Sequence, residues 1–212
     1  SSIDIAPTIL EFAGIKINQS FQGNSFKILL EKPDKPFRNY VFAEHNWHDF
    51  ESHGRMVRNK KFMLIENNRT QFAHLGPLDA LNSESYFSLL EKKKSGEISE
   101  IQSEIFISPR PKEEFYDMQN DFFQRKNLIN NKETQIELNN LRNVLSQWKF
   151  ETGDSNPDEI TKHWYKRTPD PKKARNNLDS YIKLLKTPFH GIRGEFPGAS
   201  NNAIQINNKG PF

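Results

Sequence analysis

Leu138, Leu141, Leu145 and Trp148 recur at intervals of three, four and three residues with Val144 beside them, which lays the apolar side chains of residues 133–151 along one stripe of a helix. Gly153 follows where helices commonly end in left-handed backbone. No other segment of the chain constrains the fold as tightly. A second helix is expected near the start, with Asp4 placed to cap it, Pro7 in its first turn and Gly14 closing it. Its residues Ile5, Ile9 and Phe12, with Ala6, Leu10 and Ala13 alongside, cover most of the circumference, so this helix needs walls on more than one side.

Between these helices the pattern changes period. Residues 16–38 read as loop, with a turn at 22–25 and a short apolar patch at 26–30. Residues 39–43 are aromatic and β-branched, and 55–58 and 62–65 form a hairpin around the turn Asn59-Lys60-Lys61. Residues 78–94 read as one helix ended by Gly96, and 114–117 as a short strand followed by a turn at Asn120-Asp121. Beyond Asn156 the pattern dissolves into prolines, Trp164-Tyr165 and a Gly, Asn and Pro-rich tail. That stretch reads as an arm over a neighbouring surface, with a disordered tail as the alternative.

Composition explains why such an arm, or a larger partner, is needed. Hydrophobic residues are 34% of the 212 and mean hydropathy is −0.82, a thin supply of core for this length. The chain starts on Ser1 rather than Met and enters a helix at once, as a piece of a longer protein would. Thirty Lys and Arg against 27 Asp and Glu leave +3, too mild a charge to imply nucleic acid. There is no cysteine, hence no disulfide, thiolate metal site or cysteine nucleophile. No apolar run approaches bilayer length, and the start lacks the pattern of a signal peptide.

The chemistry concentrates in residues 44–58, read as a ligand-facing loop between strands. Glu44, His45, Asn46, His48 and His53 are well suited to hydrogen-bond hydroxyl or amino groups, with Trp47 as a stacking face. A metal site built from the histidines is the sharper alternative, but the spacing is poor and no H-E-x-x-H helix exists. Arg55 and Arg58, three apart, face opposite sides of a strand, so one addresses the ligand and the other makes a structural ion pair. Asp117, Gln119 and Asp121 fail as a calcium loop because Phe122 stands where glycine is required and Leu128 where a bidentate glutamate should be. Neither a G-x-S-x-G elbow nor a Gly-rich phosphate loop is present.

In order along the chain, Ser2-Ile3-Asp4-Ile5-Ala6-Pro7-Thr8-Ile9-Leu10-Glu11, Phe21-Gln22-Gly23-Asn24-Ser25-Phe26, Arg55-Met56-Val57-Arg58 and Pro111-Lys112-Glu113-Glu114-Phe115-Tyr116-Asp117 resemble the carboxy-terminal part of a sulfatase of the alkaline-phosphatase-like superfamily. Glu44-His45-Asn46-Trp47-His48-Asp49 and Trp148-Lys149-Phe150-Glu151-Thr152-Gly153-Asp154 resemble more narrowly the sulfamidase-like N-sulfoglucosamine sulfohydrolases. The resemblance implies an α+β fold: a small antiparallel sheet on a long helix, preceded by the last helix and strand of an α/β catalytic domain and followed by the arm. It divides the chain at 1–50, 51–156 and 157–212.

The implied activity is hydrolysis of sulfate esters or sulfamates on sugars, using formylglycine and calcium. Both would belong to a missing amino-terminal catalytic domain, so this chain is expected to carry no catalytic residue, no metal and no activity of its own. Its share is the sugar-binding wall, assigned to Glu44, His45, Asn46, His48 and Arg55, with a sulfated saccharide as partner. The family's location is periplasmic, extracellular or lysosomal. Rival readings are a non-catalytic carbohydrate- or partner-binding module and a histidine-centred metal hydrolase; a Cys or Ser followed by x-Pro-x-Arg upstream separates them from the sulfatase.

Overall fold

The computed structural model describes residues 1–18, 21–47, 51–70 and 76–154. The expected arm at 157–212, and with it Trp164 and Tyr165, lies outside the described residues. A short 3-10 turn leads into α1 (Ile5–Phe12), followed by α2 (Lys27–Glu31). Next come β1 (Val41–Trp47), β2 (Glu51–Arg58) and β3 (Phe62–Asn67), then α3 (Leu78–Leu81), α4 (Glu84–Ser95) and α5 (Glu100–Ser103). β4 (Glu113–Asp117) and the long α6 (Gln135–Thr152) complete the order. The strands form one antiparallel sheet in sequence order, and α6 lies across one face, the α+β arrangement expected.

The register explains the core. Phe42 pairs with Val57, Val57 with Leu64 and Leu64 with Phe115, giving one apolar row across four strands. Leu138, Leu141 and Leu145, each at most 1% exposed, cover that row. Phe42 extends it by stacking on Trp148, with ring centres 5.1 Å apart and planes 5° from parallel. The 3, 4, 3 spacing along α6 is therefore the imprint of this one contact. Gly153 at φ 64° ends the helix, and its N–H closes on the Phe150 carbonyl. On the other side of the sheet Met63, Tyr116 and Met118 form a smaller cluster.

Local capping accounts for several departures from expectation. Residues 78–94 are two helices rather than one, because the Ser83 side chain accepts the Tyr86 N–H and starts α4 afresh. Asp4 occupies the N-cap position of α1 without capping it. Instead its buried Oδ1 accepts from the Asn24 N–H at 2.8 Å and from Arg38 at 2.7 Å. Thr8 donates to the Asp4 carbonyl and accepts the Phe26 N–H. These bonds fasten residues 24–38 to α1, and Gly23 approaches so closely that a Cβ there would meet the Ile3 carbonyl oxygen at 2.0 Å. The outward side of this unit stays apolar: Ile5, Ile9 and Phe12 are 51%, 61% and 56% exposed. The sheet itself begins at Val41, ahead of the boundary expected at residue 50.

Candidate functional site

Residues 44–47 and 51–54 are strand where a loop is expected, and 55–58 continue the second of these strands as the sequence predicts. Glu44 and His45 pair across to β2 because its backbone supplies the partners, outweighing the weak strand preference of their side chains. His48 lies outside the described residues. Pairing runs from His45 with Gly54 to Trp47 with Glu51, so the one residue between them on β1 opposes two on β2. The extra residue makes a bulge, in which His53 adopts φ 48° and is fully buried.

Beside the apolar row runs a charged one. Glu44 pairs with Arg55, Arg55 with Glu66 and Glu66 with Glu113, all by alternation on the α6 side. The long helix and its cap answer three of these four. Arg142 donates to both oxygens of Glu113 at 2.9 and 2.6 Å, and Lys149 Nζ reaches both oxygens of Glu66 at 2.9 and 2.8 Å. Asp154, just past Gly153, receives Arg55 Nε and NH2, each at 2.7 Å.

Hydrogen bonding from Arg142 holds the Glu113 carboxyl below the usual carboxylate range. A carboxyl depressed on folding stabilises the fold above its unfolded pKa of about 4.3, and that contribution is lost as pH falls through the lower folded value. Arg142→Gln is expected to remove on the order of 0.5 kcal/mol near neutrality, since the pair is partly exposed, and less at about pH 3, below the unfolded carboxyl value. Urea midpoints of the two proteins at both pH values check this.

Arg55 is the centre of the cluster. NH1 donates to Asn46 Oδ1 at 2.7 Å and to the Gly54 carbonyl at 2.9 Å. NH2 adds His53 Nε2 at 3.4 Å to its bond with Asp154, and Glu44 Oε2 stands 3.8 Å away. The other ring nitrogen, His53 Nδ1, lies 3.1 Å from Asn68 Nδ2. Four Arg55 N–H groups have oxygen acceptors at 2.7–2.9 Å, the fifth faces the His53 ring, and the side chain is fully enclosed. Arg55, expected to touch the sugar, is thus held among side chains and backbone of this chain. Asn46 keeps its amide NH2, and Glu44 has a 44% exposed side chain. His45 is exposed, and alternation sets it on the opposite face of β1.

Asp154 was not singled out from sequence as a site residue; it lies 99 positions from Arg55, and its one signal is its place directly after the glycine that ends α6. Among the described residues no group of three or more His, Cys, Asp or Glu could hold a metal ion. A cavity of about 380 Å³ is lined by Glu104, Arg110, Glu114, Tyr116 and Arg125 among others, and by none of the sequence-predicted site residues. Its floor is a satisfied network: Glu114 accepts from Asn67, Arg110 and the Tyr116 hydroxyl. Burial, with that bond, pushes the Tyr116 phenol well above its ordinary value.

Residues 1–75 match the family described as N-sulphoglucosamine sulphohydrolase, C-terminal. An ulvan-active sulfatase of Formosa agariphila is 34% identical over 188 residues, covering 84% of this chain and 31% of that protein. An arylsulfatase of Clostridium perfringens is 25% identical over 142 residues, covering 67% and 21%. A solved structure described as a complex with its substrate D-glucosamine-2-N,6-O-disulfate is 21% identical with a TM-score of 0.49, covering 74% of this chain and 25% of that one. The chain is similar to the carboxy-terminal region of sulfatases, of the sulfamidase-like type. It spans about a third or less of the length of the curated relatives it matches.

Proposed function

We propose that this chain forms part of the substrate-binding wall of a sulfatase that hydrolyses sulfate esters or sulfamates on glycosaminoglycan-type sugars, with Glu44, Asn46 and His48 as the sugar contacts. The observation that carries the reading is the state of β1: Asn46 is held by Arg55, itself gripped by Asp154, while the Asn46 amide NH2 is left without a partner among the described residues. Preorganised donors on a rigid strand are what recognition of a polyhydroxylated, anionic ligand requires. The sulfatase names of the relatives and the sulphoglucosamine family support the substrate class.

The exposed Ile5, Ile9 and Phe12 supply the second half of the proposal. An apolar face of this kind on a charged chain is the seat of a larger body, and the occupant proposed is the catalytic portion of the same sulfatase. Formylglycine and calcium belong in this scheme to that portion. Among the described residues no three His, Cys, Asp or Glu side chains cluster as a metal site, and no Cys or Ser of this chain is followed by x-Pro-x-Arg.

In the full-length protein His48→Ala is expected to lower kcat/KM for N-sulfated or O-sulfated glucosamine on the order of 10 to 100-fold, the loss of one or two buried hydrogen bonds. Unchanged kinetics with every sulfated sugar tried would remove this segment from the site.

A further inference from the structure

We infer that Asp154 is a positioning residue: through Arg55 it fixes the Asn46 carboxamide so that β1 presents an N–H donor, and the group recognised at that point is an acceptor oxygen, such as one of a sulfate or carboxylate, rather than a hydroxyl or ammonium donor. This rests on the reading of β1 as the sugar-facing strand. A carboxamide offers an acceptor at one end and a donor at the other, and in a free asparagine either can face a ligand. Here the choice is made by chemistry. Arg55 NH1 has only hydrogens to give, so the Asn46 atom 2.7 Å from it is the oxygen, and the NH2 end points away from the guanidinium.

The guanidinium cannot swing to release that oxygen. Asp154 grips Nε and NH2 together, the Gly54 carbonyl takes the second NH1 hydrogen, and the bulge at His53 brings an imidazole nitrogen to the last N–H. Both charges are enclosed, with side chains 0% and 2% exposed, and the two-pronged pairing fixes the plane of the group as well as its position. Asp154 in turn is set by the end of α6, its N–H bonded to the Lys149 carbonyl at 2.8 Å. A helix built for packing therefore determines the hydrogen-bond polarity of a strand at the candidate site.

Asn46→Asp is the discriminating variant, because a carboxylate still accepts from Arg55 and keeps the fold while the outward donor is replaced by a second acceptor. Steady-state kinetics of the full-length protein on N-sulfated and 6-O-sulfated glucosamine are expected to show kcat/KM reduced on the order of 100-fold for Asn46→Asp, mostly in KM, with no fall in melting temperature. Asp154→Asn is expected to raise KM about tenfold, Asp154→Glu to restore part of it, and Asp154→Asn made in an Asn46→Ala background to add nothing further to KM. Wild-type kinetics for Asn46→Asp, or independent and multiplying effects of Asp154→Asn and Asn46→Ala, overturn the inference. Should Asp154→Asn fail to fold, Asn46→Asp decides alone. His48→Ala separates the two levels: if it impairs the enzyme and Asn46→Asp does not, only this inference fails, whereas wild-type kinetics in both remove β1 from the site.

Discussion

Arg55→Ala is expected to destabilise the full-length protein by about 3–5 kcal/mol, the cost of leaving a buried carboxylate without its partner. The expectation follows from geometry rather than from the presence of an ion pair as such. Asp154 is enclosed and receives two charge-assisted bonds of 2.7 Å from the one guanidinium, and Asn46, Gly54 and His53 lose a donor at the same stroke. Arg55→Lys should recover only part of the loss, because an ammonium cannot reproduce the planar fork. The double change Arg55→Met with Asp154→Leu should recover more, since replacing a buried ion pair by packed apolar side chains is often neutral. Recovery of stability in that protein without recovery of sugar affinity would separate the structural part of the pair from its part in recognition. Chemical denaturation of the four proteins gives the answer, and a loss below about 1 kcal/mol for Arg55→Ala would place the pair among weak surface bridges.

Leu141→Ala should cost about 3 kcal/mol, within the usual span for a buried leucine truncated where its neighbours cannot collapse. Leu141 is 0% exposed between Leu138 and Leu145, against a sheet face made rigid by Val57, Leu64 and Phe115. Ile136, on the same helix and 82% exposed, is the internal control: Ile136→Ser should change stability by no more than about 0.5 kcal/mol. Equal effects at the two positions would mean that α6 packs differently. Because Asp154 hangs from the end of α6, Leu141→Ala tests whether loosening the helix is felt at β1. A shift of the helix by a fraction of its pitch would pull Asp154 from Arg55 and show as a raised KM for sulfated sugar.

Why α6 was legible and the site only partly so comes down to the range of the interactions involved. The stripe of α6 and its glycine stop are local patterns, as is the Asn59 turn, where the side chain accepts the Lys61 and Phe62 N–H groups. Strand character in Glu44, His45 and Asn46 is not local. These side chains carry no β-signal, and their extension depends on β2 alongside. The bulge at His53 is invisible for the same reason, since it exists only as a mismatch of two registers. Sequence singled out Glu44, Asn46 and Arg55 as sugar contacts, whereas that the three lie together, and that Asp154 occupies Arg55, is beyond the reach of any spacing argument. The break at Ser83 within residues 78–94 was missed because apolar residues continue on both sides of the cap. Asp4 was assigned a capping role by its position, whereas its actual partners, Asn24 and Arg38, come from a segment read as loop.

The central claim, that β1 forms part of the wall contacting a sulfated saccharide, is tested most directly by the crystal structure of the full-length protein with N-sulfated glucosamine bound. The account predicts an oxygen of the sugar or its sulfate about 3 Å from Asn46 Nδ2, with Arg55 still locked on Asp154. An ordered sugar that touches none of residues 44–48 would contradict it.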